Sequence, residues 1–405
     1  IFVILAQILL ISDEALVGLP AGFEPPPYQE IFATLASPVL MLFLGGFVLA
    51  DAAAKSRLDR NLAGVLLRPF GQSPRAIVGG LMAITAVLSM FVSNTATTAA
   101  MMAVVLPVAA GLGTGDPLRT ALILSVPVAA NIGGLGTPVG SPPNAIAIGR
   151  LEESGIEIDF LRWMLLAVPV ALIVLAVAWY LLVRRYPATV DRVDIRIGGA
   201  FDRTRPALIL YIVFAVTVIG WVTEPFHGIP SSVVGFLPVV VLMATRVFST
   251  EDLRRLNWHI LWLVGGGIAL GTGVSVTGLD DWLIGLYDWG SLSTLFLMLA
   301  LAVISLILST IISNSATANL MVPIGISLAL SDAVDLEPLL AGLLIALACS
   351  LAMALPVSTP PNAVAYASGE IETRDMARVG IIVGVVGIVL IVFVMPPIWE
   401  GLGLV

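Results

Sequence analysis

The sequence predicts an all-α polytopic membrane protein: an inverted-topology repeat with two re-entrant hairpins and two broken helices. Three observations carry that prediction. The composition is too apolar for a soluble domain, several apolar blocks are too long for one span, and two ordered motifs return in the second half of the chain. Of the 405 residues, 59% are hydrophobic and 11% charged, with a mean hydropathy of +1.05. Soluble domains average about 45–50% apolar and about 25% charged residues. At about 20 residues per spanning helix, the apolar content allows roughly ten to twelve spans. The net charge of −8 argues against nucleic acid or another polyanion as partner. A single cysteine, Cys349, excludes a disulfide framework and any multi-thiolate metal or iron–sulfur site. Two histidines, His227 and His259, leave little for imidazole-based metal chemistry and read as interfacial. The apolar stretch before Ser12-Asp13-Glu14 is too short for a signal peptide, so the N-terminus is expected to be truncated.

The blocks follow in order. Apolar segments run near 1–11, 33–50, 77–113, 118–148, 162–183, 206–222, 230–247, 258–278, 291–330, 338–368 and 379–397. Basic residues cluster after the second (Lys55, Arg57, Arg60, Arg68, Arg75) and after the fifth (Arg184, Arg185, Arg192, Arg196, Arg203, Arg205). Arg246, Arg254 and Arg255 follow the seventh, and Arg374 and Arg378 precede the last. The positive-inside rule makes these segments cytoplasmic. Basic residues flank 77–113 on both sides, Arg75 and Arg119. Acidic residues flank 291–330 on both sides: Asp280, Asp281 and Asp288 before, Asp332, Asp335 and Glu337 after. Were both blocks full crossings, later basic loops would fall outside. As re-entrant hairpins, one entering from each face, they leave every basic loop inside. Non-helical backbone at membrane depth is tolerated only where protein buries it or it lines a cavity. Two hairpin tips therefore mark a site.

The repeat is the strongest signal. Ser93-Asn94-Thr95-Ala96-Thr97 returns as Ser313-Asn314-Ser315-Ala316-Thr317. Pro138-Val139-Gly140-Ser141-Pro142-Pro143-Asn144-Ala145 returns as Pro356-Val357-Ser358-Thr359-Pro360-Pro361-Asn362-Ala363. Copies entering from opposite faces make an inverted repeat, which is characteristic of secondary transporters. Ser and Asn suit the hairpin tips because their side chains bond nearby backbone groups. Each Pro-Pro-Asn breaks a helix, exposing N–H groups that favour an anion and carbonyls that suit a hard cation. No Lys or Arg lies between Arg75 and Arg119, between Arg119 and Arg150, or from Leu256 to Thr373, and all four motifs fall in those gaps. An unpaired dianion at membrane depth is costly, and a helix terminus supplies only about half a charge. Bound cations are the natural counter-charge, so the motifs point to sodium-coupled uptake of an anion. No Asp or Glu in the motifs offers a proton relay.

The paired Ser-Asn-Thr/Ser motifs, each followed by Pro-Pro-Asn, resemble the divalent anion/sodium symporter family of the larger ion-transporter superfamily. The likeness runs from Leu42-Phe43-Leu44-Gly45-Gly46 to the last block. It implies a homodimer in the bacterial plasma (inner) membrane that moves a dicarboxylate such as succinate, malate or fumarate by an elevator motion. It implies scaffold segments at 1–75 and 206–290, transport halves at 76–183 and 291–405, and a linker at 184–205. Carried over by motif, one sodium site would use Ser89, Ser93, Asn94 and backbone at Gly140. The other would use Ser309, Asn314 and backbone near Ile312 and Ser358. Substrate would meet Asn94, Thr95, Ser141, Asn314, Ser315 and Thr359. Two co-transported sodium ions and no organic cofactor are expected. Two departures stand out: Ser315 replaces the usual Thr, and Pro107 lies further beyond Ser93 than Pro323 lies beyond Ser313. The first return arm is therefore expected to be longer by about one turn.

Other features read more plainly. Gly45-Gly46 and Gly265-Gly266-Gly267 are close-packing glycines, and no Lys-Ser/Thr follows them to make a phosphate loop. Residues 55–75 read as a cytoplasmic amphipathic helix, and Cys349 as a small core residue. The alternatives are a sodium-independent exchanger, a sulfate or tricarboxylate symporter, a channel, and an intramembrane enzyme. The last lacks a visible catalytic dyad or metal set.

Overall fold

The computed structural model describes residues 1–113, 115–193, 202–286, 289–331 and 333–405. Asp288, Asp332 and the part of the linker that holds Arg196 (194–201) lie outside the described residues, as do the side chains of Arg60 and Arg68. Among the described residues the chain is all-helical. The main helices are α1 (Phe2–Ile11), α2 (Pro38–Lys55), α3 (Leu58–Leu66), α4 (Pro74–Phe91), α5 (Asn94–Ala110), α6 (Leu118–Gly133), α7 (Pro142–Glu153) and α8 (Phe160–Arg185). They continue with α9 (Arg205–Val222), α10 (Ser231–Ala244), α11 (Trp258–Val276), α12 (Thr294–Ile311), α13 (Asn314–Leu330), α14 (Pro338–Ser350), α15 (Pro360–Tyr366) and α16 (Thr373–Val389). A π turn at Leu390–Val394 joins α16 to a final short helix, Met395–Gly401. Among the described residues, seven helical stretches are long and apolar enough to cross a membrane: Tyr28–Lys55, α4, α8, α9, α11, α12 and Thr373–Gly401.

Local chemistry sets the ends of these helices. Ser37 caps α2 by accepting from the Leu40 N–H, with Pro38 at the first helical position. Asp159 caps α8 through the Arg162 N–H, at 2.8 Å, and Ser293 caps α12 through the Phe296 N–H, at 3.3 Å. Both long blocks break where expected: α4 ends at Val92-Ser93 and α12 at Ile312-Ser313. Both proline-interrupted blocks break as well, α6 from α7 and α14 from α15. The return arms do not differ in length as expected, because α5 and α13 are each 17 residues long. Pro107 and Pro323 sit inside their helices, where a proline kinks the helix without ending it once packing holds both sides.

Close backbone approach organises the packing. A Cβ on Gly45 of α2 would lie 1.6 Å from the Gly235 carbonyl oxygen of α10, so no side chain fits there. A Cβ on Gly133 of α6 would meet the Ala86 carbonyl of α4 at 2.3 Å. In the second repeat, a Cβ on Gly380 of α16 would lie 2.6 Å from Ala354 Cα. Gly267 of α11 leaves room for the side chain of Asn319 on α13, whose Oδ1 would be 1.6 Å from an added Cβ. The two repeats interlock where α7 packs on α13 and α14, and where α15 packs on α5 and α6. Phe160 and Trp221 stack at 4.9 Å, tying α8 to α9. Cys349 is fully buried with a free thiol.

Polar ties gather the segments that charge parity assigned to the cytoplasm. Lys55 Nζ pairs with Asp252 at 2.5 Å and Arg119 with Glu370 at 2.6 Å. Thr189 donates to Asp116 at 2.6 Å, Tyr186 to Asp375 at 2.8 Å, and the Val193 N–H to the Gln72 carbonyl at 3.0 Å. In the acidic segments, Glu224 accepts from the Ser231 N–H at 3.1 Å, and Glu153 from Thr272 at 3.2 Å. One repeated element escaped the sequence reading. The amphipathic α3 follows the glycine-bearing α2, and a short helix, Leu279–Gly285, follows the glycine-bearing α11 in the same way. At seven residues it is too short to give a periodic signal.

Burial pushes the Asp252 carboxyl up, but hydrogen bonds from Lys55 and from the Ser249 side chain and backbone outweigh it and hold the group at about 2. A depressed folded value stabilises above the unfolded carboxylate value of about 3.9 and is lost as pH falls toward the folded value. Thermal melts of detergent-solubilised protein should therefore show Asp252→Asn less stable than wild type at pH 6. The gap should close as the pH approaches about 2. A gap constant across that range would show that the carboxylate charge contributes nothing.

Candidate functional site: paired oxygen clusters at the helix breaks

At the first hairpin tip, Ser89 Oγ lies 2.5 Å from Asn94 Oδ1 and 2.8 Å from the carbonyl oxygen of Ala130 on α6. At the second, Ser309 Oγ lies 2.8 Å from Asn314 Oδ1 and 2.8 Å from the carbonyl oxygen of Cys349 on α14. Ser89, Asn94 and Ala130 of the first repeat thus match Ser309, Asn314 and Cys349 of the second. A serine hydroxyl has one proton and can give it to only one of two acceptors. Each cluster gathers three oxygens around a single proton, an arrangement that a cation stabilises. The two carbonyls are not among the ligands the motifs predict. Nothing in Ala130 or Cys349 marks them, because any residue at the end of the first half-helix offers the same atom.

The remaining expected ligands divide. Ser93 makes no capping bond at the start of α5, and its hydroxyl has no hydrogen-bond partner among the described residues. Its counterpart Ser313 accepts from the Ala316 N–H at 3.2 Å. That difference parallels the expected sets, which use the Ser93 side chain but only backbone near Ile312. Ser358 Oγ donates to the Thr310 carbonyl at 2.8 Å and accepts from the Leu355 N–H at 3.2 Å, which ties it to its own break. Gly140 closes a 3-10 turn, Pro138–Gly140, that packs on Gly134. Gly134 itself makes room for the Asn94 amide, since an added Cβ would lie 2.4 Å from Asn94 Nδ2.

Each Pro-Pro-Asn holds its own break together. Asn144 Nδ2 donates to the carbonyls of Gly134 and Thr137 at 2.9 and 2.8 Å, and Asn362 Nδ2 to those of Met353 and Leu355 at 2.8 and 2.9 Å. The motifs predict anion-binding N–H groups at these breaks. The structure moves them elsewhere: both first positions of α7 and of α15 are prolines, which carry no N–H. The free N–H groups belong to α5 and α13 at the hairpin tips, beside Thr95 and Ser315. Both of these residues are half-buried, and neither side chain makes a hydrogen bond within the described residues.

Ser141 and Thr359 are tied across the repeats. Ser141 Oγ meets Ser350 Oγ at 3.1 Å, and Asn131 Nδ2 donates to Thr359 Oγ1 at 3.2 Å. Helix packing also brings the motif-bearing segments together, α7 on α13 and α15 on α5. Among the described residues, no basic side chain enters the site. Arg150 is the only buried Lys or Arg among them, and it is already paired with Glu153 at 3.0 Å, near the far end of α7. The geometry is that of a membrane carrier with two pseudo-symmetric oxygen clusters flanking a set of small donors.

Comparison with known proteins agrees. The family model described as citrate transporter matches residues 2–346, and the chain belongs to that family of membrane transporters. It is 33% identical over 426 aligned positions to a sodium-dependent dicarboxylate transporter of Staphylococcus saprophyticus, covering 95% of this chain and 81% of the relative. The corresponding transporter of Staphylococcus aureus strain USA300 is 30% identical, over 96% of this chain and 82% of the relative. The fold is similar to the crystal structure of the YdaH transporter of Alcanivorax borkumensis, with a TM-score of 0.62 at 14% identity, covering 99% of this chain and 96% of the other.

Proposed function

We propose that this protein is a multi-pass plasma-membrane symporter that couples sodium entry to uptake of a dicarboxylate of the succinate, malate and fumarate class. The observation that carries the reading is the pair of three-oxygen, one-proton clusters in a site with no free basic group among the described residues. Two bound sodium ions would supply the positive charge that a buried dianion needs. Ser89, Ser93, Asn94 and the Gly140 backbone would hold one ion. Ser309, Asn314 and backbone near Ile312 and Ser358 would hold the other, and the Ala130 and Cys349 carbonyls would join the two sets. The dianion would sit between the α5 and α13 N-termini, against Thr95, Ser141, Ser315 and Thr359. The names of the staphylococcal relatives support both sodium and dicarboxylate. In this reading α4–α8 and α12–α16 move together against a scaffold of α1–α3 and α9–α11 in a homodimer.

The test is labelled succinate uptake into proteoliposomes, with an inward sodium gradient compared with equimolar potassium. Concentrative uptake that requires sodium is expected. Uptake without sodium that requires internal dicarboxylate would identify an exchanger and overturn the counter-charge argument. The family description also makes citrate the first competitor to try.

A further inference from the structure

Proton accounting separates the hydroxyls of this site into two kinds. Asn362 Nδ2 lies 2.8 and 2.9 Å from the carbonyls of Met353 and Leu355, which can only accept. That fixes Asn362 Oδ1 as the opposite end of the amide, and Asn131 Nδ2 donates to it at 3.0 Å. An amide nitrogen has two protons. The second goes from Asn131 to Thr359 Oγ1, at 3.2 Å. Thr359 Oγ1 also accepts from the Asn362 backbone N–H, at 3.3 Å. Both acceptor positions of that hydroxyl are then filled, and its own proton has no acceptor among the described residues. Thr359 can only donate outward. Such a group suits an anionic oxygen and repels a cation, the reverse of Ser89 and Ser309.

The other repeat lacks this device. Ser350 occupies the place that matches Asn131, and among the described residues it reaches only Ser141 Oγ. The amide oxygen of Asn144, which matches Asn362 Oδ1, is buried without a hydrogen-bond partner among the described residues. We infer that Asn131, 3% exposed on α6, is a positioning residue that locks Thr359 as a hydrogen-bond donor to the transported anion. It thereby makes the second half-site the specificity-determining one. The inference rests on the dicarboxylate reading above.

The experiment measures succinate Kd in saturating sodium by calorimetric titration of the purified full chain. Sodium affinity is measured separately, by thermal shift without succinate. Asn131→Ser, which copies the residue at 350, should weaken succinate about tenfold, roughly 1.4 kcal/mol, and leave sodium affinity unchanged. Asn131→Asp should weaken it further, because an acceptor there draws the Thr359 proton inward. In a Thr359→Ala background Asn131→Ser should change succinate Kd by less than about twofold, roughly 0.4 kcal/mol. Three results overturn the inference: succinate Kd in Asn131→Ser within twofold of wild type, a loss that persists undiminished without the Thr359 hydroxyl, or an equal shift in sodium affinity. Failure of the dicarboxylate reading looks different, since wild-type protein would then bind no succinate in sodium. Asn131→Ser only shortens a side chain, so the test does not depend on the charged variant folding.

Discussion

Asn94→Ala and Asn314→Ala each raise the sodium concentration for half-maximal uptake by about tenfold or more, roughly 1.4 kcal/mol of lost binding per site, or abolish transport. Each removes an amide oxygen from its cluster, leaving Ser89 or Ser309 with a single acceptor that its proton satisfies. A cluster that no longer has surplus lone pairs has less use for a cation. Neither change disturbs the helix start, because the N–H groups of α5 and α13 are backbone groups. The measurement is initial uptake rate against external sodium at fixed succinate. Unchanged sodium dependence in both variants would remove these asparagines from the ion sites.

Gly134→Ala should disable the first cluster without unfolding the protein. Gly134 has ordinary right-handed helical angles, φ −58° and ψ −17°, so alanine is not strained there. The obstacle is the added Cβ, which would fall 2.4 Å from Asn94 Nδ2 and 2.8 Å from Oδ1. The amide must turn away from Ser89, and sodium affinity should drop about as far as in Asn94→Ala. Melting temperature should stay close to that of wild type. Gly266→Ala is the control, since no atom lies within 4 Å of its Cβ position. Wild-type sodium dependence in Gly134→Ala would mean that Asn94 is not held where the structure has it. The second repeat offers no matching variant, because Met353 stands at the corresponding place and carries a side chain already.

The membrane class, the breaks at Val92-Ser93 and Ile312-Ser313 and the Pro-Pro-Asn interruptions were all legible in the chain before folding. These are local properties. Apolar runs, proline's missing N–H and the turn preference of Ser-Asn act within a few residues, and a repeated motif is visible as text. The close-packing role of Gly45 and Gly267 was legible for the same reason, although their partners Gly235 and Asn319 were not. Other features depended on which residues distant in sequence come together. The proline spacing wrongly suggested unequal return arms, because whether a proline ends a helix or bends it depends on what packs around it. The Ala130 and Cys349 carbonyls carry no residue signature, and only the packing of α6 on α4 and of α14 on α12 brings them to the serines. Asn131 lies outside every repeated motif. Its role follows from hydrogen bonds that reach from the first repeat to Thr359 and Asn362 in the second. Composition and spacing name the atoms available to a site. The direction in which each proton points is set by the partners on the opposite repeat, and those exist only once the two halves are packed together.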